Sequence, residues 1–169
     1  LVFVADDIAI AGAPQPRGVA GTLLVHKVAG HVAARNGTLA EVKAAAADTA
    51  RAVVTLGLAF TTCTRPGEAP NLRIAPGQAE LGLGIHGEPG ARVIAAAPAR
   101  DLVATMVQEL QPHLRANGPL AVLVNNLGGA TPLEMNIIVK ELIGSALGSR
   151  IELLVGPGEL MTALDMQGV

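Results

Sequence analysis

Apolar residues recur along this chain with two spacings, one typical of helices and one typical of strands. A recurrence every three or four positions predicts a helix, whereas a continuous or strictly alternating apolar run predicts a strand. The helical segments are 17–35, 38–56, 98–115 and 131–147. The strand segments are 1–10, 58–62, 71–75, 79–86, 120–124, 151–155 and 161–166. Because strands alternate with helices, we expect an α/β fold: a layered domain with a mixed β-sheet flanked by helices.

Polar residues mark where several of these elements begin. Thr38 with Glu41 and Thr131 with Glu134 have the spacing of a capping box, and Pro132 follows the second threonine at the first helical position. Proline and glycine predict a loop at 11–16 and a turn at 65–70.

Composition limits the functions that this chain can have. Half of the 169 residues are hydrophobic, aromatic residues make up 1%, and the formal net charge is −2. A chain with neither a basic surface nor aromatic residues for base stacking is not expected to bind nucleic acid. No apolar run approaches the roughly 18–20 residues of a membrane span. The single cysteine, Cys63, excludes an internal disulfide and favours the reducing cytoplasm.

The length suits one domain, but the ends favour a different interpretation. The chain begins without methionine in an apolar run and ends at Gln167-Gly168-Val169 with no evident stop signal. We therefore expect it to be part of a longer protein.

One glycine motif imitates a dinucleotide-binding fingerprint. Residues 82–87 match G-x-G-x-x-G, which binds pyrophosphate only where the glycines lead from a strand into a helix. Here Glu88-Pro89-Gly90 follows, and that sequence does not open a helix. We therefore do not expect dinucleotide binding at this motif.

The same segment places His86 in an open position. Gly82 and Gly84 leave the His86 face of the strand without side chains, so a small molecule could lie against the backbone there. A neutral imidazole can act as an acid, a base, a ligand or a nucleophile near pH 7. The alternative is that His86 only caps a turn through a backbone hydrogen bond.

Other polar residues have plainer interpretations. His26 and His31 are five positions apart, about 140° around a helix, which does not suit a shared metal. His113 lies near a helix end, where a cation suits the dipole. Asp6 and Asp7 end the first strand and could bind Mg²⁺ or cap a turn, but adjacent strand residues face opposite sides.

Two further positions remain. Cys63 has no nearby histidine or helix N-terminus to activate it, so we expect a packed thiol. Asn125-Asn126 and Gly128-Gly129 follow a strand at the edge where α/β sheets bind ligands. They could equally form a tight loop that needs positive φ angles.

Several blocks together resemble the DhaK family, the substrate-binding unit of dihydroxyacetone (glycerone) kinases. They occur in the family's order and span nearly the whole chain. The blocks are GVAGT at 18–22, VHK at 25–27, Cys63-Thr64, GLGIHGEPG at 82–90, VNNLGG at 124–129, Leu133-Glu134, and ALDM at 163–166 with Gly168. GIHGEPG is the most specific of them.

The resemblance implies a role for His86. In the family, the histidine of this motif adds to the ketone of dihydroxyacetone and forms a covalent hemiaminal. The bound substrate is then positioned for phosphoryl transfer to its hydroxyl group. His86 is thus the expected catalytic and substrate-binding residue, and we expect no metal ligand in this chain.

The resemblance also implies what lies outside this chain. The family's unit is about twice as long, so we expect residues 1–169 to be its C-terminal lobe. The upstream lobe would supply another histidine and an aspartate, without which this chain alone would not be a competent kinase. The loop 13–16 also lacks the family's more glycine- and arginine-rich sequence. ATP or ADP with Mg²⁺ is expected on a DhaL-type domain or subunit, and the unit is expected to be a homodimer.

Two alternatives stay open. A DhaK-like paralogue could bind the same ketone as a non-catalytic ligand sensor or coactivator. A kinase of this type could also act on another short-chain ketose. The phosphoryl donor is not fixed by these residues.

Overall fold

The computed structural model describes residues 1–9, 17–86 and 88–169. The helices are α1 (Thr22–Ala34), α2 (Leu39–Ala52), α3 (Ala99–Leu110) and α4 (Pro132–Ile143), with short 3-10 helices at Gln111–His113 and Gly148–Arg150. The strands are β1 (Leu58–Ala59), β2 (Gln78–Leu81), β3 (Arg92–Ala95), β4 (Leu120–Asn125) and β5 (Ile151–Gly158). All four predicted helices are present, and each is shorter than predicted. None of the helices in the described ranges is long and apolar enough to cross a membrane.

A buried carboxylate delays the start of α1. Asp6 accepts hydrogen bonds from the backbone N–H groups of Val19 at 2.7 Å and Gly21 at 2.8 Å, and the Thr55 hydroxyl also donates to it. A negative charge here complements the positive end of the helix dipole. Residues 17–21 therefore wrap around Asp6 before the helix begins.

Both predicted capping boxes are confirmed. The Thr38 backbone N–H donates to Glu41 at 2.7 Å, and the Glu41 N–H donates back to the threonine hydroxyl at 3.3 Å. Thr131 and Glu134 make the same pair of bonds at the start of α4. Each box satisfies backbone donors that the first turn of a helix leaves unpaired.

The strands form two sheets of opposite type. β1, β2 and β3 are antiparallel in that order, whereas β4 and β5 are parallel and are joined through α4. β2 ends at Leu81, earlier than predicted, because Gly82 turns the chain with a φ of +74°. β3 is absent from the predicted elements because it is only four residues long, and three of the four are exposed although Val93-Ile94-Ala95 is apolar.

The C-terminal residues connect the two sheets. Val169 exchanges two backbone hydrogen bonds with Leu58 of β1, at 2.8 and 2.9 Å, while Gly168 accepts one from Leu127 at 3.1 Å. A short run of chain is thus paired with β1 on one side and with the segment after β4 on the other. The mixed α/β class is confirmed, with parallel and antiparallel pairing in separate sheets that this run joins.

Three predicted strands are wrong. Segment 1–9 makes only an isolated bridge between Asp7 and Thr55, and its Leu1 and Phe3 are 95% and 81% exposed. The Asp7 and Ile8 N–H groups donate to the Arg17 and Thr55 carbonyl oxygens, at 3.2 and 3.1 Å, but this pairing does not extend beyond the single bridge, so no strand forms. Ile10 and the whole loop predicted at 11–16 lie outside the described residues.

Local hydrogen bonding explains the other two errors. At 71–75, the Asn71 side chain accepts from the Arg73 N–H at 3.0 Å and forms a turn. At 161–166, Leu164 has a φ of +56°, which a continuous strand does not accommodate.

Candidate active site

The predicted His86 lies on a tight loop, residues 82–90, that joins β2 to β3. The loop begins where Gly82 turns the chain and ends at Gly90, where a side chain would approach the Leu81 carbonyl to 2.6 Å. Glycine is therefore required at both ends for the strands to pair beyond the loop. Gly87 lies outside the described residues.

The imidazole of His86 is held by one neighbour, Glu88. The His86 ring Nδ1 lies 3.0 Å from Glu88 Oε1, and the His86 backbone N–H donates to Glu88 Oε2 at 3.0 Å. The His86 side chain is nevertheless 78% exposed. No partner for its Nε2 is found among the described residues. The ring is thus oriented on one edge and open on the other.

The charge of Glu88 determines which ring nitrogen carries the proton. Partial burial by itself raises the pKa of this carboxyl, but hydrogen bonds from its own backbone N–H and from the ring and backbone of His86 outweigh it and lower the pKa. An ionised carboxylate only accepts hydrogen bonds, so Nδ1 must be the donor. In the neutral ring, Nε2 then carries the free lone pair.

The predicted bare face beside His86 is occupied by this carboxylate. A Cβ atom built on Gly84 would overlap Glu88 Oε2. Because Gly84 has no side chain, the Glu88 carboxylate can lie against it and form its hydrogen bonds with His86. The prediction of a bare face is therefore wrong, because the alternating pattern located the glycines but did not indicate that Glu88 fills the space at Gly84.

Apolar residues anchor the start of the loop. Leu83, which is 4% exposed, and the partly buried Ile85 pack with a small core of residues from the middle and the C-terminal part of the chain. This cluster contains Ala59, Leu83, Leu127, Ala163 and Met166, with Cys63 and Ile85 against it. Cys63 is therefore a packed free thiol, as predicted.

Asp6 and Asp7 have different partners, as expected for adjacent residues whose side chains face opposite sides. Asp6 caps α1, whereas the Asp7 carboxylate pairs with Arg17 and accepts from the Ala9 N–H at 2.9 Å. The Arg17 guanidinium in turn donates to the carbonyl oxygen of Gly82 at 2.6 Å. Sequence reasoning missed Arg17, which directly precedes the GVAGT block.

The two asparagines after β4 hold their own loops. The side-chain amide of Asn125 forms hydrogen bonds with the backbone of Leu160 and Met161. The side-chain oxygen of Asn126, Oδ1, accepts a hydrogen bond from the Gly128 N–H at 2.9 Å. Gly128 has a φ of +123°. The structure thus favours the tight-loop interpretation of this motif over a ligand site.

The remaining histidines lie at the surface. His26, His31 and His113 are exposed, and His31 contacts only Arg35, at 3.4 Å, among the described residues. Within those residues, no group of three or more His, Cys, Asp or Glu side chains is arranged to hold a metal ion.

A large cavity lies away from His86. It measures about 850 Å³ and is lined mainly by apolar side chains of all four helices and β4, including Leu24, Met106 and Val107. Gly84 and Ile85 reach its wall, but His86 does not.

Known proteins resemble this chain over its whole length. The Dak1 domain family matches residues 1–169. A dihydroxyacetone kinase of Citrobacter freundii is 48% identical over 99% of this chain and 31% of the relative. Its crystal structure superimposes with a TM-score of 0.94, at 49% identity, over 98% of this chain and 31% of that one.

Two shorter relatives are matched over more of their length. The dihydroxyacetone-binding subunit DhaK of a PTS-dependent kinase from Listeria innocua is 36% identical over 99% of this chain and 53% of the subunit. A solved dihydroxyacetone kinase operon co-activator is 29% identical, with a TM-score of 0.89, over 98% of this chain and 53% of that one.

This chain therefore spans about a third to a half of the length of these relatives. The family match covers every residue, and the fold agrees with that of the Citrobacter enzyme. The chain belongs to the Dak1 domain family.

Proposed function

We propose that His86 binds dihydroxyacetone covalently, as a hemiaminal, in the substrate-binding part of a glycerone kinase. The observation that carries this proposal is the His86–Glu88 pair. Glu88 orients Nδ1 at 3.0 Å and leaves Nε2 exposed with its lone pair available. A neutral imidazole in this state is a suitable nucleophile for a small ketone.

The addition step needs no further reactant. The Nε2 lone pair attacks the carbonyl carbon, a carbon–nitrogen bond forms, and the carbonyl electron pair moves to oxygen. The alkoxide takes a proton from water, and the Nδ1 proton leaves towards Glu88 or solvent. The product is a neutral hemiaminal. It has gained one proton at the former carbonyl oxygen and lost one from Nδ1, and no other atom is gained or lost.

Covalent attachment explains both selection and positioning. Glycerol has no carbonyl group and cannot form the adduct, so short-chain carbonyl compounds are favoured. The adduct also fixes the terminal hydroxyl relative to an incoming phosphoryl group, which is much of what phosphoryl-transfer catalysis requires. The proposed activity is therefore that of a phosphotransferase with an alcohol acceptor.

We propose that residues 1–169 form the C-terminal lobe of a DhaK-type domain. The Listeria subunit is about twice as long as the part matched by this chain. The exposed Leu1 and Phe3 and the 850 Å³ apolar cavity are surfaces that a further lobe could cover. That lobe would carry the groups that act on the substrate hydroxyl. We also propose, on family membership alone, that the unit is a cytoplasmic homodimer.

We place the nucleotide on a DhaL-type domain or subunit. The sequence has no Walker A motif, and the described residues offer no acidic cluster for Mg²⁺. The residues present do not fit a nucleotide–metal site, so no step of the proposed chemistry on this chain passes through one. The Citrobacter enzyme, which was crystallised with AMP-PNP and Mg²⁺, has more than twice this chain's length outside the match.

A second function is favoured by one comparison. The operon co-activator shares the fold at 29% identity, so a Dak1 relative can serve in regulation. The same ketone could bind His86 in such a protein. The two functions differ in turnover, which only the kinase shows.

Steady-state kinetics of the full-length protein test the proposal. We expect His86→Ala to lower kcat/KM for dihydroxyacetone by at least about a hundredfold, because positioning is lost. His31→Ala, which changes an exposed histidine that does not line the cavity, is the matched control and should behave like the wild type. Normal kcat and KM in His86→Ala would overturn the proposal, and ketone binding without turnover in the wild type would favour the regulatory function.

A further inference from the structure

We propose that Arg17 and Glu80 are positioning residues that brace the 82–90 loop, so that His86 meets its substrate in a fixed orientation. The inference rests on the proposed function of His86. Neither residue contacts the imidazole. Each acts through backbone atoms of the loop.

Arg17 forms hydrogen bonds with both arms of the loop, the first arm beginning at Gly82 and the second ending at Gly90. Its Nη2 donates to the Gly82 carbonyl oxygen at 2.6 Å, and its Nη1 donates to the Pro89 carbonyl oxygen at 3.4 Å. Gly82 lies at the start of the loop and Pro89 near its end. One planar guanidinium thus spans the gap between the arms.

Asp7 fixes the guanidinium itself. Arg17 Nε donates to Asp7 Oδ2 at 2.7 Å, and Nη2 lies 2.5 Å from the same oxygen. The side chain of Asp7 is only 3% exposed and that of Arg17 is 20% exposed. A pair with so little solvent around it is weakly screened and keeps a defined geometry. The loop is therefore attached to the segment that also caps α1.

Glu80 holds the end of the loop from the other side. Its Oε1 accepts a hydrogen bond from the Gly90 backbone N–H at 2.9 Å, while its Oε2 pairs with Arg73 Nη2 at 2.6 Å. The Glu80 side chain is 5% exposed, although strand alternation predicted that it faces away from the apolar side. A buried carboxylate on that face is explained by these two partners.

Within the described residues, the other strong contacts of the loop lie at its two ends, where the Gly82 N–H donates to the Gly57 carbonyl oxygen at 2.6 Å and the Ala91 N–H donates to the Leu81 carbonyl oxygen at 2.9 Å. The backbone bond between the Gly84 N–H and the Glu88 carbonyl oxygen is long, at 3.4 Å, and His86 itself is largely exposed. Leu83 and Ile85 anchor the first arm. The second arm, which carries Glu88, is held by the contacts at Pro89 and Gly90. Glu88 can orient the ring only as well as these contacts hold its backbone.

The test is Arg17→Lys in the full-length protein. Lysine can keep the ion pair with Asp7 but cannot bond to both loop carbonyls at once. We expect amide hydrogen exchange in 82–90 to become about tenfold faster, with the unfolding midpoint unchanged. Adduct formation with dihydroxyacetone should slow by about tenfold, because small misplacement of reacting groups is costly.

Arg150→Lys is the matched control. Arg150 also donates to two backbone carbonyls, those of Gly118 and Arg115, but far along the chain from the loop. It should change neither the exchange in 82–90 nor the adduct rate. Glu80→Gln is a second variant, in which a neutral amide replaces the carboxylate that accepts from the Gly90 N–H and pairs with Arg73, so both bonds become weaker. It should speed exchange at 88–91.

The outcomes separate this inference from the proposed function. Wild-type exchange in 82–90 for both Arg17→Lys and Glu80→Gln would overturn the bracing. Faster exchange with an unchanged adduct rate would overturn the positioning role. If the wild type forms no adduct, the proposed function of His86 fails, and the exchange data alone still decide whether these residues brace the loop.

Discussion

At the scale of single residues, the spacing of His86 and Glu88 has a direct chemical consequence. The two residues are two positions apart on a loop, so the Glu88 carboxylate reaches both the ring and the backbone N–H of His86. The lowered pKa of Glu88 keeps it ionised at neutral pH. The pair therefore selects the tautomer in which Nε2 can react.

Glu88→Gln should impair the reactivity of His86 without unfolding the protein. The amide has the same size but carries no charge and can present either an oxygen or an N–H to Nδ1. We expect adduct formation with dihydroxyacetone to slow by about tenfold or more, as for other residues that orient a reactive imidazole. Stopped-flow or quenched-flow measurement of adduct formation would give this rate.

Glu68→Gln provides the control for that substitution. Glu68 is exposed and lies 3.7 Å from Arg65 in a surface turn. It should have a wild-type rate. A Glu88→Gln rate equal to that of the control would show that Glu88 does not prepare His86.

At the scale of elements, the capping box of α4 links local sequence to the site's surroundings. Thr131 and Glu134 bond reciprocally, and Gln167 Nε2 also donates to Glu134 Oε1 at 3.3 Å. The start of α4 is thus attached to the C-terminal run that joins the sheets. Hydrogen bonds from the Thr131 backbone N–H and then from its hydroxyl lower the pKa of Glu134, against a smaller opposing effect of burial.

Thr131→Ala should destabilise the fold by about 1 kcal/mol at pH 7, the usual value of an N-cap hydroxyl. Because the folded pKa of Glu134 is below its unfolded value, its carboxylate stabilises the fold above the ordinary glutamic acid pKa. That contribution is lost as pH falls through the lowered folded value. The effect of the substitution should therefore shrink in acid, which urea unfolding at pH 7 and at low pH would measure.

Thr105→Ala is a matched threonine substitution inside a helix. The Thr105 hydroxyl donates to the Asp101 carbonyl oxygen and caps nothing. Its effect should be small at both pH values. Equal losses for the two variants, or a Thr131→Ala loss that grows in acid, would contradict the capping assignment.

Local sequence signals predicted the elements whose causes are local. The capping boxes located the starts of α2 and α4, because each bond joins residues three positions apart. The start of α1 is predicted too early because the carboxylate of Asp6, outside the segment, accepts hydrogen bonds from the backbone N–H groups of Val19 and Gly21. Segment 161–166 was misplaced because Leu164 takes a positive φ where the chain packs against Gly128.

The residues of the candidate site also differ in whether local sequence could predict them. Family resemblance and the glycine pattern predict His86 as the reactive residue, and the motif GIHGEPG contains Glu88 beside it. Arg17 and Glu80 could not be found from spacing, because their contacts with the loop depend on tertiary packing. A charged residue on an otherwise apolar strand, such as Glu80, is the kind of signal that could have drawn attention to the second contact.

At the scale of the whole molecule, the loop lies where the two sheets are joined. Val169 and Gly168 pair with β1 and with the segment after β4, and Met166 is fully buried in the cluster beneath Leu83 and Ile85. A side chain on Gly168 would approach the Leu58 carbonyl oxygen to 2.5 Å. Residues from the middle and the C-terminal end of the chain therefore form the buried cluster on which the start of the His86 loop packs.

The most direct measurement is a crystal structure of the full-length protein soaked with dihydroxyacetone. A hemiaminal predicts continuous electron density from His86 Nε2 to the former carbonyl carbon, at the single-bond length of about 1.45 Å. The former carbonyl carbon should be tetrahedral. Dihydroxyacetone bound with an intact planar ketone, separated from Nε2 by a non-bonded distance, would contradict covalent binding at His86.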